Sequence, residues 1–253
     1  MFKNLKIGPK LIAGFVLVAL IAGFIGVFAI YNMKQLDEAD TFMYEKTTLP
    51  ISYCVYLTES FQRARVNLVK MFTTNDKKEI DGYYKRNQDF EKILVDYEKK
   101  YEFTIIDEND KKLFNEYLTS KKKYFEETNS IYKLLLNDNI NEALVILNGS
   151  AFEAANTHNA NIQKIIELNI DSAHKTAEDN TKLANTISII MILITIFGFI
   201  LALILGIFLS QSISKPIGVA TDLAIEIGKG DLLVTVPEIY LNRGDEIGKL
   251  AIA

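Results

Sequence analysis

Two long uncharged apolar runs flank a charged middle in this chain. One run covers residues 11–31 and the other covers residues 187–209, and neither contains a charged side chain. At about 1.5 Å of rise per residue, helices of these lengths reach about 31 to 35 Å, which matches the roughly 30 Å hydrocarbon core of a bilayer. The pattern therefore predicts two transmembrane helices and a chain in contact with membrane lipid.

The charges around the first run predict its orientation. Three lysines and no acid lie in residues 1–10, and three acids follow in residues 37–40. Because positive residues stay on the cytoplasmic side, we expect a cytoplasmic tail at 1–10, an extracytoplasmic domain at 32–186 and a return to the cytoplasm at 210–253. This places a multi-pass protein in the plasma or inner membrane. A cleaved signal peptide is the alternative, but the run exceeds the usual apolar region of about 7 to 15 residues.

Residues 32–186 carry the period of amphipathic helices. Mostly apolar side chains recur at alternating steps of three and four in three successive stretches. Pro50 lies inside the first stretch, and we expect it to kink the helix because proline lacks an N–H donor. The predicted seam residues are Met33, Leu36, Asp40, Met43, Thr47, Pro50, Cys54, Leu57, Phe61, Ala64, Leu68 and Met71; Ile80, Tyr83, Asn87, Phe90, Leu94, Tyr97 and Tyr101; and Leu113, Tyr117, Ser120, Tyr124, Thr128, Ile131 and Leu135.

Short polar stretches separate the predicted helices. Asp76 reads as an N-cap, and the acidic residues 107–110 suit the positive end of a helix dipole. Residues 139–142 and 150–153 resemble capping boxes. Between them Asn148-Gly149 is expected to break the chain, after which a fourth helix runs into the second apolar run without a helix breaker.

Four long helices joined by short turns predict an all-α fold, a membrane-anchored antiparallel four-helix bundle. Its first and fourth helices continue as the two transmembrane helices. A small shift of the fourth helix against the first could therefore pass into the cytoplasm as movement of one rod. Packed cores change between discrete arrangements rather than bending smoothly, which suits the transmission of a signal.

Composition and charge exclude several classes of protein. The 253 residues have a formal net charge of −4 and form no basic stripe, so we expect no nucleic-acid partner. Cys54 is the only cysteine, which excludes an intrachain disulfide, and its seam position predicts a small buried hydrophobe. Neither a nucleophile elbow nor a zinc-binding helix motif nor a phosphate loop occurs, so we expect no enzyme and no cofactor.

The two histidines could suggest a metal site, but their spacing argues against one. His158 and His174 are 16 positions apart, which leaves them about 160° apart around a helix. They cannot ligate one metal ion from the same helix. We therefore expect no metal site, and we expect each histidine to lie at the surface or to have its hydrogen bonds satisfied.

Arg63 and Arg65 are the candidate ligand-binding residues. They flank Ala64 in the outer half of the first bundle helix, and arginine forks suit the recognition of carboxylates. The alternative is that both are flanking charges paired with acids on neighbouring helices. The seam tyrosines are expected to lie in the core with their hydroxyls reaching water; they are Tyr83, Tyr97, Tyr101, Tyr117 and Tyr124.

The segment after the second apolar run carries three short motifs in order. Lys215-Pro216-Ile217, Gly230-Asp231-Leu232 and Asp245-Glu246-Ile247-Gly248 resemble the HAMP linker of chemoreceptors and sensor kinases. The N-terminal stretch from Phe2 to Ile7, followed by Gly14-Phe15, resembles the start of methyl-accepting chemotaxis proteins with a four-helix-bundle sensory module. The resemblance covers nearly the whole chain, although its middle rests on helix pattern.

This resemblance implies a homodimeric receptor that senses a small molecule or a binding protein outside the cell. It implies that the second transmembrane helix carries the signal to HAMP, where Pro216, Gly230, Asp245 and Glu246 would serve transmission. The second HAMP helix normally runs about two turns further than the nine residues present here, so we expect an incomplete HAMP domain at 210–253. The adaptation sites, kinase contacts and coupling-protein contacts of the family have no counterpart in these residues.

The sequence therefore predicts a transmembrane, chemoreceptor-like signal transducer without its output domain. Two alternatives remain open. The chain could be the sensor part of a histidine kinase, which shares the membrane spans and HAMP. It could also be a stand-alone membrane accessory subunit that dimerises with full-length receptors through its short HAMP segment.

Overall fold

The computed structural model describes residues 5–231 and 233–252, and the described residues contain helices and no strand. This confirms the predicted all-α fold. Two π-helical turns join α1 to α2 and α5 to α6, and a short 3-10 turn follows α2. The helices are α1 (Ile7–Met43), α2 (Leu49–Lys70), α3 (Lys77–Glu102), α4 (Glu108–Leu136), α5 (Ile140–Ile146), α6 (Phe152–Gly228), α7 (Glu238–Leu241) and α8 (Glu246–Ile252).

The chain divides into two compact units. One is Leu36–Lys182, and the other combines Met1–Gln35 with Leu183–Ala253. The first unit contains the four bundle helices, and the second contains the two apolar runs and the C-terminal segment. The sequence-based boundaries at 32–186 and 187–209 stay predictions.

The bundle core is built from the predicted seams. Every predicted position of the first stretch from Thr47 onward is buried, and Asn87, Leu94, Tyr117 and Tyr124 are buried in the next two helices. Burial of such side chains is the main favourable contribution to folding. The buried apolar residues of the bundle are Cys54, Leu57, Phe61, Ala64, Leu68, Met71, Ile80, Leu94, Tyr101, Phe114, Tyr117, Tyr124, Ile131, Leu135, Ala143, Ala151, Ala154, Ala155, Ile162 and Ile165.

Before Thr47 the predicted seam is only partly correct, because Leu36 and Met43 are half-buried but the other two predicted positions are not. Met33 and Asp40 are exposed, whereas Asn32 is buried and Ala39 is half-buried. The reason is the π turn, which holds one more residue than an α-helical turn and so rotates the preceding positions by about 100°. A heptad pattern that is extended through this turn therefore marks the wrong face.

A π turn, Tyr44–Thr48, directly precedes the helix that contains Pro50. Its hydrogen bonding is wider than that of an α-helix, with the Leu49 N–H donating to the Tyr44 carbonyl. The hydroxyls of Thr47 and Thr48 both donate to the Met43 carbonyl. The two threonines therefore satisfy a carbonyl group at the turn, and the chain remains helical across the proline.

Two of the predicted helix starts are confirmed by side-chain caps. The Asp76 carboxylate accepts a hydrogen bond from the Lys78 N–H at 2.8 Å, and α3 begins at Lys77. The Asp107 carboxylate accepts from the Asp110 N–H at 2.8 Å at the start of α4. Such caps satisfy backbone donors that have no partner inside the helix.

The predicted break at Asn148-Gly149 is wrong. Both residues lie in the π turn Leu147–Ala151, which carries the chain directly from α5 into α6. The supposed capping box at 150–153 lies at this junction, where no side-chain cap bond forms. Asn139 does precede α5, but its side chain makes no capping bond either.

In the second unit, the apolar runs form helices that are long enough to cross a membrane. By length and composition, the two candidate spans lie in the helical stretches Ile7–Thr73 and Ile140–Gly228, with mean hydropathies of 2.8 and 3.0 in their most apolar windows. None of either window is buried. Large apolar faces exposed on single helices are typical of lipid contact.

Glycines permit close approach between these two helices. A side chain added at Gly14 would lie 2.5 Å from the Leu209 side chain, and one at Gly198 would lie 3.1 Å from Ile21. Both distances are shorter than ordinary van der Waals contact, so a larger residue at either position would require the facing side chain to move. Small residues at such positions let membrane helices pack closely.

Candidate functional site

A groove in the bundle unit combines positive charge with an apolar floor. It lies between α2, α4 and the π turn that precedes α6, and its volume is about 540 Å³. This volume suits a small organic ligand. We call it the cationic groove, and its lining residues are Gln62, Arg65, Val66, Leu68, Val69, Lys70, Tyr124, Leu147, Asn148, Ala151, Phe152 and Ala155.

The polar groups of the cationic groove favour an anion. Arg65 and Lys70 bring two positive charges, and none of the lining residues is acidic. The Arg65 Nη1 group donates to Gln62 Oε1 at 3.2 Å, which fixes the guanidinium at the edge of the groove. Arginine binds carboxylates through two parallel hydrogen bonds, and lysine adds a point charge.

Tyr124 is the α4 residue that lines the cationic groove. Its hydroxyl is buried and makes no hydrogen bond of good geometry. Burial raises the pKa of Tyr124, whereas the nearby Thr128 hydroxyl and the positive charge of Arg65 partly offset this rise.

The π turn Leu147–Ala151 forms one wall of the cationic groove. Leu147, Asn148 and Ala151 line it, and the chain passes from this turn into α6 without interruption. π-helical turns are rare and occur often at functional sites, because they displace backbone and side chains from the regular helix. Asn148 was expected only to break the helix, so the sequence pattern missed its place in the site.

The structure does not bring Arg63 and Arg65 together. Arg63 is exposed, donates to Glu59 at 2.6 Å, and lies beside Phe90 on the α3 side of α2. Two residues along a helix are separated by about 200°, so their side chains point in nearly opposite directions. Arg65 therefore belongs to the cationic groove. Arg63 is a flanking surface charge, as in the alternative, but it pairs with Glu59 of its own helix rather than with an acid on a neighbouring helix.

A buried ion pair connects α3 and α4 inside the bundle. Lys121 Nζ lies 2.6 Å from Glu98 Oε2, and the Tyr117 hydroxyl donates to Glu98 Oε1 at 3.0 Å. Burial and the Glu98 charge raise the pKa of Tyr117 well above its usual value. The prediction that this hydroxyl reaches water is therefore wrong, because the carboxylate provides its partner within the core.

A second buried polar cluster connects α3, α4 and α6. The Tyr101 hydroxyl donates to Asp110 Oδ1 at 2.6 Å and accepts from the Asn169 side-chain amide at 2.8 Å. Burial raises the pKa of Asp110, although the hydrogen bond from Tyr101 opposes this rise. The Tyr101 hydroxyl is therefore bonded inside the core, and the prediction that it reaches water is wrong.

His158 lies in the core, contrary to expectation. It is 1% exposed, and its ring lies 3.7 Å from the Phe61 ring and 4.6 Å from the Tyr117 ring. Neither ring nitrogen makes a hydrogen bond of good geometry. Burial, aided by the charge of Lys121 and opposed by the Tyr117 backbone, lowers the pKa of His158 to about 3. His174 is exposed, as expected for a surface histidine.

The described part of the chain offers no evident place for a metal ion. No group of three or more His, Cys, Asp or Glu side chains with the required proximity occurs among residues 5–231 and 233–252. The cationic groove has arginine, lysine, amide and hydroxyl groups, which suit organic anions better than cations.

The C-terminal segment places the other predicted functional residues. Pro216 is buried inside α6, which continues beyond it to Gly228. Gly230 has a φ of 95°, a conformation that suits glycine at the predicted connector. Leu232, the third residue of that motif, lies outside the described residues, as do Phe2, Lys3 and Asn4 of the N-terminal motif.

Asp245 and Glu246 make specific contacts at the start of α8. Asp245 is buried and accepts hydrogen bonds from Lys10 at 2.8 Å and from Arg243 at 2.6 Å. The pKa of Asp245 is held well below its usual range, chiefly by the Arg243 hydrogen bond and also by that from Lys10. Glu246 accepts from the Ile7 N–H at 2.9 Å, which lowers its pKa.

The fold and the groove together define a class of protein. A four-helix bundle with a ligand-sized groove, on a chain with two helices that are apolar and long enough to span a membrane, has the architecture of a membrane-anchored sensory protein. The family model described as a four-helix-bundle sensory module for signal transduction matches residues 4–184. The chain belongs to this family, which is a sensory rather than a catalytic one. This confirms the chemoreceptor resemblance for the sensory module, and the assignment of the C-terminal segment to HAMP stays a prediction.

A curated relative agrees with this assignment. The chain is 28% identical over 187 residues to a protein of Acetivibrio thermocellus named "Putative sensory transducer protein". The matched region covers 74% of this chain and 33% of that relative. The chain therefore spans about a third of the length of the relative that it matches.

Proposed function

We propose that this protein is a transmembrane receptor whose bundle binds a small organic anion in the cationic groove. The observation that supports this most directly is the lining itself, which contains Arg65 and Lys70, no acidic residue and several apolar side chains. A carboxylate bound to the Arg65 fork, with an aliphatic body against Val69 and Phe152, matches this lining. The proposed ligand class is therefore small carboxylates with a branched or straight aliphatic chain.

The proposed mechanism uses the helix that begins at the groove. The π turn Leu147–Ala151 forms one wall and leads directly into α6, which is continuous as far as Gly228. A ligand that binds better to one packing of the bundle shifts the equilibrium toward that packing by its difference in affinity. We infer that α6 carries this change as a small displacement to the C-terminal segment, which we assign as HAMP.

We further propose that the protein works as a homodimer with both termini in the cytoplasm. Val55, Val66 and Val69 are each more than half exposed, and they form one stripe along α2. Val66 and Val69 also line the cationic groove, so the proposed interface borders the proposed ligand site. Exposed apolar stripes with this spacing mark helix contacts between partners. A second copy of this chain is the proposed partner at that stripe. The name of the curated relative supports a sensory transducer over the histidine-kinase and accessory-subunit alternatives.

The ligand proposal is tested by binding to the full chain in lipid nanodiscs. The probes are isovalerate and leucine, each compared with its uncharged amide, and the readouts are calorimetry and the shift in thermal unfolding. Arg65→Gln is expected to weaken carboxylate binding about tenfold or more, because a charge-assisted pair is lost. Arg63→Gln is the matched control, and its affinity should stay within about twofold.

Two results would contradict this proposal. One is equal binding of the carboxylates and their amides, which would show that the groove does not select an anion. The other is an equal loss of affinity in the Arg63 and Arg65 variants, because only Arg65 lines the cationic groove.

A further inference from the structure

Pro216 leaves a backbone acceptor without its helical donor. It lies inside α6, and a proline has no N–H to donate to the carbonyl four residues earlier, which here is that of Ser212. Arg243 fills this gap, since its Nη2 group donates to the Ser212 carbonyl at 3.2 Å. A side chain 31 positions away in the sequence thus replaces a main-chain hydrogen bond.

Arg243 is itself held in place by a buried carboxylate. Its Nε and Nη2 groups donate to the two oxygens of Asp245 at 3.0 and 2.6 Å, which is the bidentate arrangement that arginine favours. Lys10, near the start of α1, donates to the same carboxylate at 2.8 Å. One cluster therefore connects three separate parts of this unit.

The backbone around the cluster is tightly fitted. A side chain added at Gly248 would lie 1.9 Å from the Arg243 carbonyl oxygen, so only glycine fits there. The Gly248 N–H donates to Asp245 Oδ1 at 3.2 Å. The close turn between Arg243 and Gly248 therefore fixes the carboxylate that orients the guanidinium.

Burial separates this cluster from ordinary surface ion pairs. The side chains of Lys10, Asp245 and Arg243 are 1%, 0% and 10% exposed. The Lys229–Glu226 pair in the same unit is 64% and 46% exposed, and pairs of that kind contribute little. Removing one partner from a buried pair has a large effect, because the other charge is left without compensation.

We propose that Arg243 is a positioning residue that replaces the hydrogen bond missing at Pro216 and, through Asp245 and Lys10, ties that point of α6 to the start of α1. We call the contact of Lys10, Arg243 and Asp245 with the Ser212 carbonyl the arginine clasp. Displacement of α6 along α1 must carry the clasp with it or open it, so the clasp selects between arrangements of the two helices. That consequence rests on the proposed function, whereas the hydrogen-bond replacement does not.

The test is a double-mutant cycle between Arg243 and Pro216 in the full chain, in nanodiscs and without ligand. Its readout is amide hydrogen exchange of peptides that cover residues 210–220. Arg243→Gln is expected to raise exchange about tenfold with Pro216 present, because the Ser212 carbonyl loses a charge-assisted hydrogen bond. In the Pro216→Ala background the helix supplies its own N–H, and Arg243→Gln should raise exchange less than about threefold.

Lys229→Gln is the matched control, because it removes an exposed cation from the same unit, and it should leave exchange unchanged. No increase in the Arg243→Gln variant would overturn the proposal. An equal increase in both backgrounds would also overturn it, because Arg243 would then act without Ser212.

Exchange of the bundle peptides at 36–182 reports whether the variants fold. If Arg243→Gln disturbs these peptides, Arg243→Lys decides, because lysine keeps the charge but cannot hold both carboxylate oxygens and the carbonyl. The Arg243→Lys variant must raise exchange at residues 210–220 when Pro216 is present, and it must leave that exchange unchanged in the Pro216→Ala background. Because the cycle uses no ligand, its outcome is independent of the carboxylate test on Arg65.

Discussion

His158 is a buried base that stays neutral in the folded protein and thereby makes its stability depend on pH. Its pKa is about 3 in the folded protein, against an ordinary value of 6.5. The unfolded chain therefore binds a proton between these values and the folded chain does not, so stability is complete above pH 6.5 and falls as the pH decreases toward 3. The expected loss is up to about 1.4 kcal/mol for each pH unit below 6.5.

Thermal unfolding of the full chain between pH 7 and pH 4.5 measures this effect. His158→Leu removes the titrating group, and we expect its unfolding temperature to fall less with acid than that of the unmodified protein. His174→Leu is the control, because His174 is exposed and should leave the pH profile unchanged. If both variants followed the profile of the unmodified protein, His158 would have no part in its acid sensitivity.

The buried polar residues were the least predictable part of the sequence. A seam of threes and fours marks Tyr101 and Tyr117 as core, but it does not show that Asp110 and Glu98 accept their hydroxyl hydrogen bonds. Such a partner lies on another helix, and single-helix periodicity contains no information about it. The available signal was spacing, since Glu98 and Asp110 each lie three positions before a predicted seam residue, and burial of a carboxylate requires a partner.

Two threonine hydroxyls of unequal burial donate hydrogen bonds at the π turn Tyr44–Thr48. Thr47 is fully buried and Thr48 is exposed, although both donate to the Met43 carbonyl. We expect Thr47→Val to destabilise the bundle by about 1 kcal/mol, because a buried hydrogen bond is lost at nearly constant shape. Thr48→Val should change the free energy of unfolding by less than about 0.5 kcal/mol.

Both variants can be compared by circular dichroism on thermal unfolding in the same detergent. A lower unfolding temperature in the Thr47 variant alone would support the role of its hydroxyl in holding the turn. Equal unfolding temperatures in the two variants would show that neither hydroxyl is needed there.

Helices were predictable where the chain stays α-helical, and their register was not predictable across π turns. The seam from Cys54 to Met71 is correct because those residues follow a single α-helical period. Met33 and Asp40 precede a turn with one extra residue, and nothing in their spacing signals that insertion. Because a π turn leaves no signal in the hydrophobic spacing, Asn148-Gly149 was predicted to be a break. For the same reason the cationic groove, which this turn helps to line, was not predicted.

The proposed orientation of the whole molecule can be tested by thiol labelling. Burial, with a contribution from Asp110, raises the pKa of Cys54 to about 12, so the native thiol should not react. Lys85→Cys and Asp222→Cys each add an exposed thiol, one in the bundle and one in the C-terminal segment. A membrane-impermeant maleimide should label residue 85 in intact cells and residue 222 only after permeabilisation.

Labelling of the Asp222 variant in intact cells would contradict the proposed orientation. The unmodified chain is the control, and its Cys54 should remain unlabelled both in intact and in permeabilised cells.

At the scale of the molecule, the sequence was most informative about architecture. Two apolar runs and three amphipathic periods were sufficient for the all-α bundle, because each follows from the hydrophobic pattern alone. The arginine clasp was not predictable, since Lys10 and Asp245 lie at opposite ends of the chain. Contacts between sequence-distant polar groups depend on the complete fold, and Asp245 could be recognised beforehand only as part of a motif.

The π turn Leu147–Ala151 also affects which changes of length the chain can accept. It holds one residue more than an α-helical turn, so deleting one residue there would convert it to ordinary helix and leave both flanking faces aligned. The same deletion within α6 would rotate every earlier position by about 100° relative to the later ones. Relatives that differ by a single residue in this region should therefore have their gap at Leu147–Ala151, and their bundle cores should remain in register.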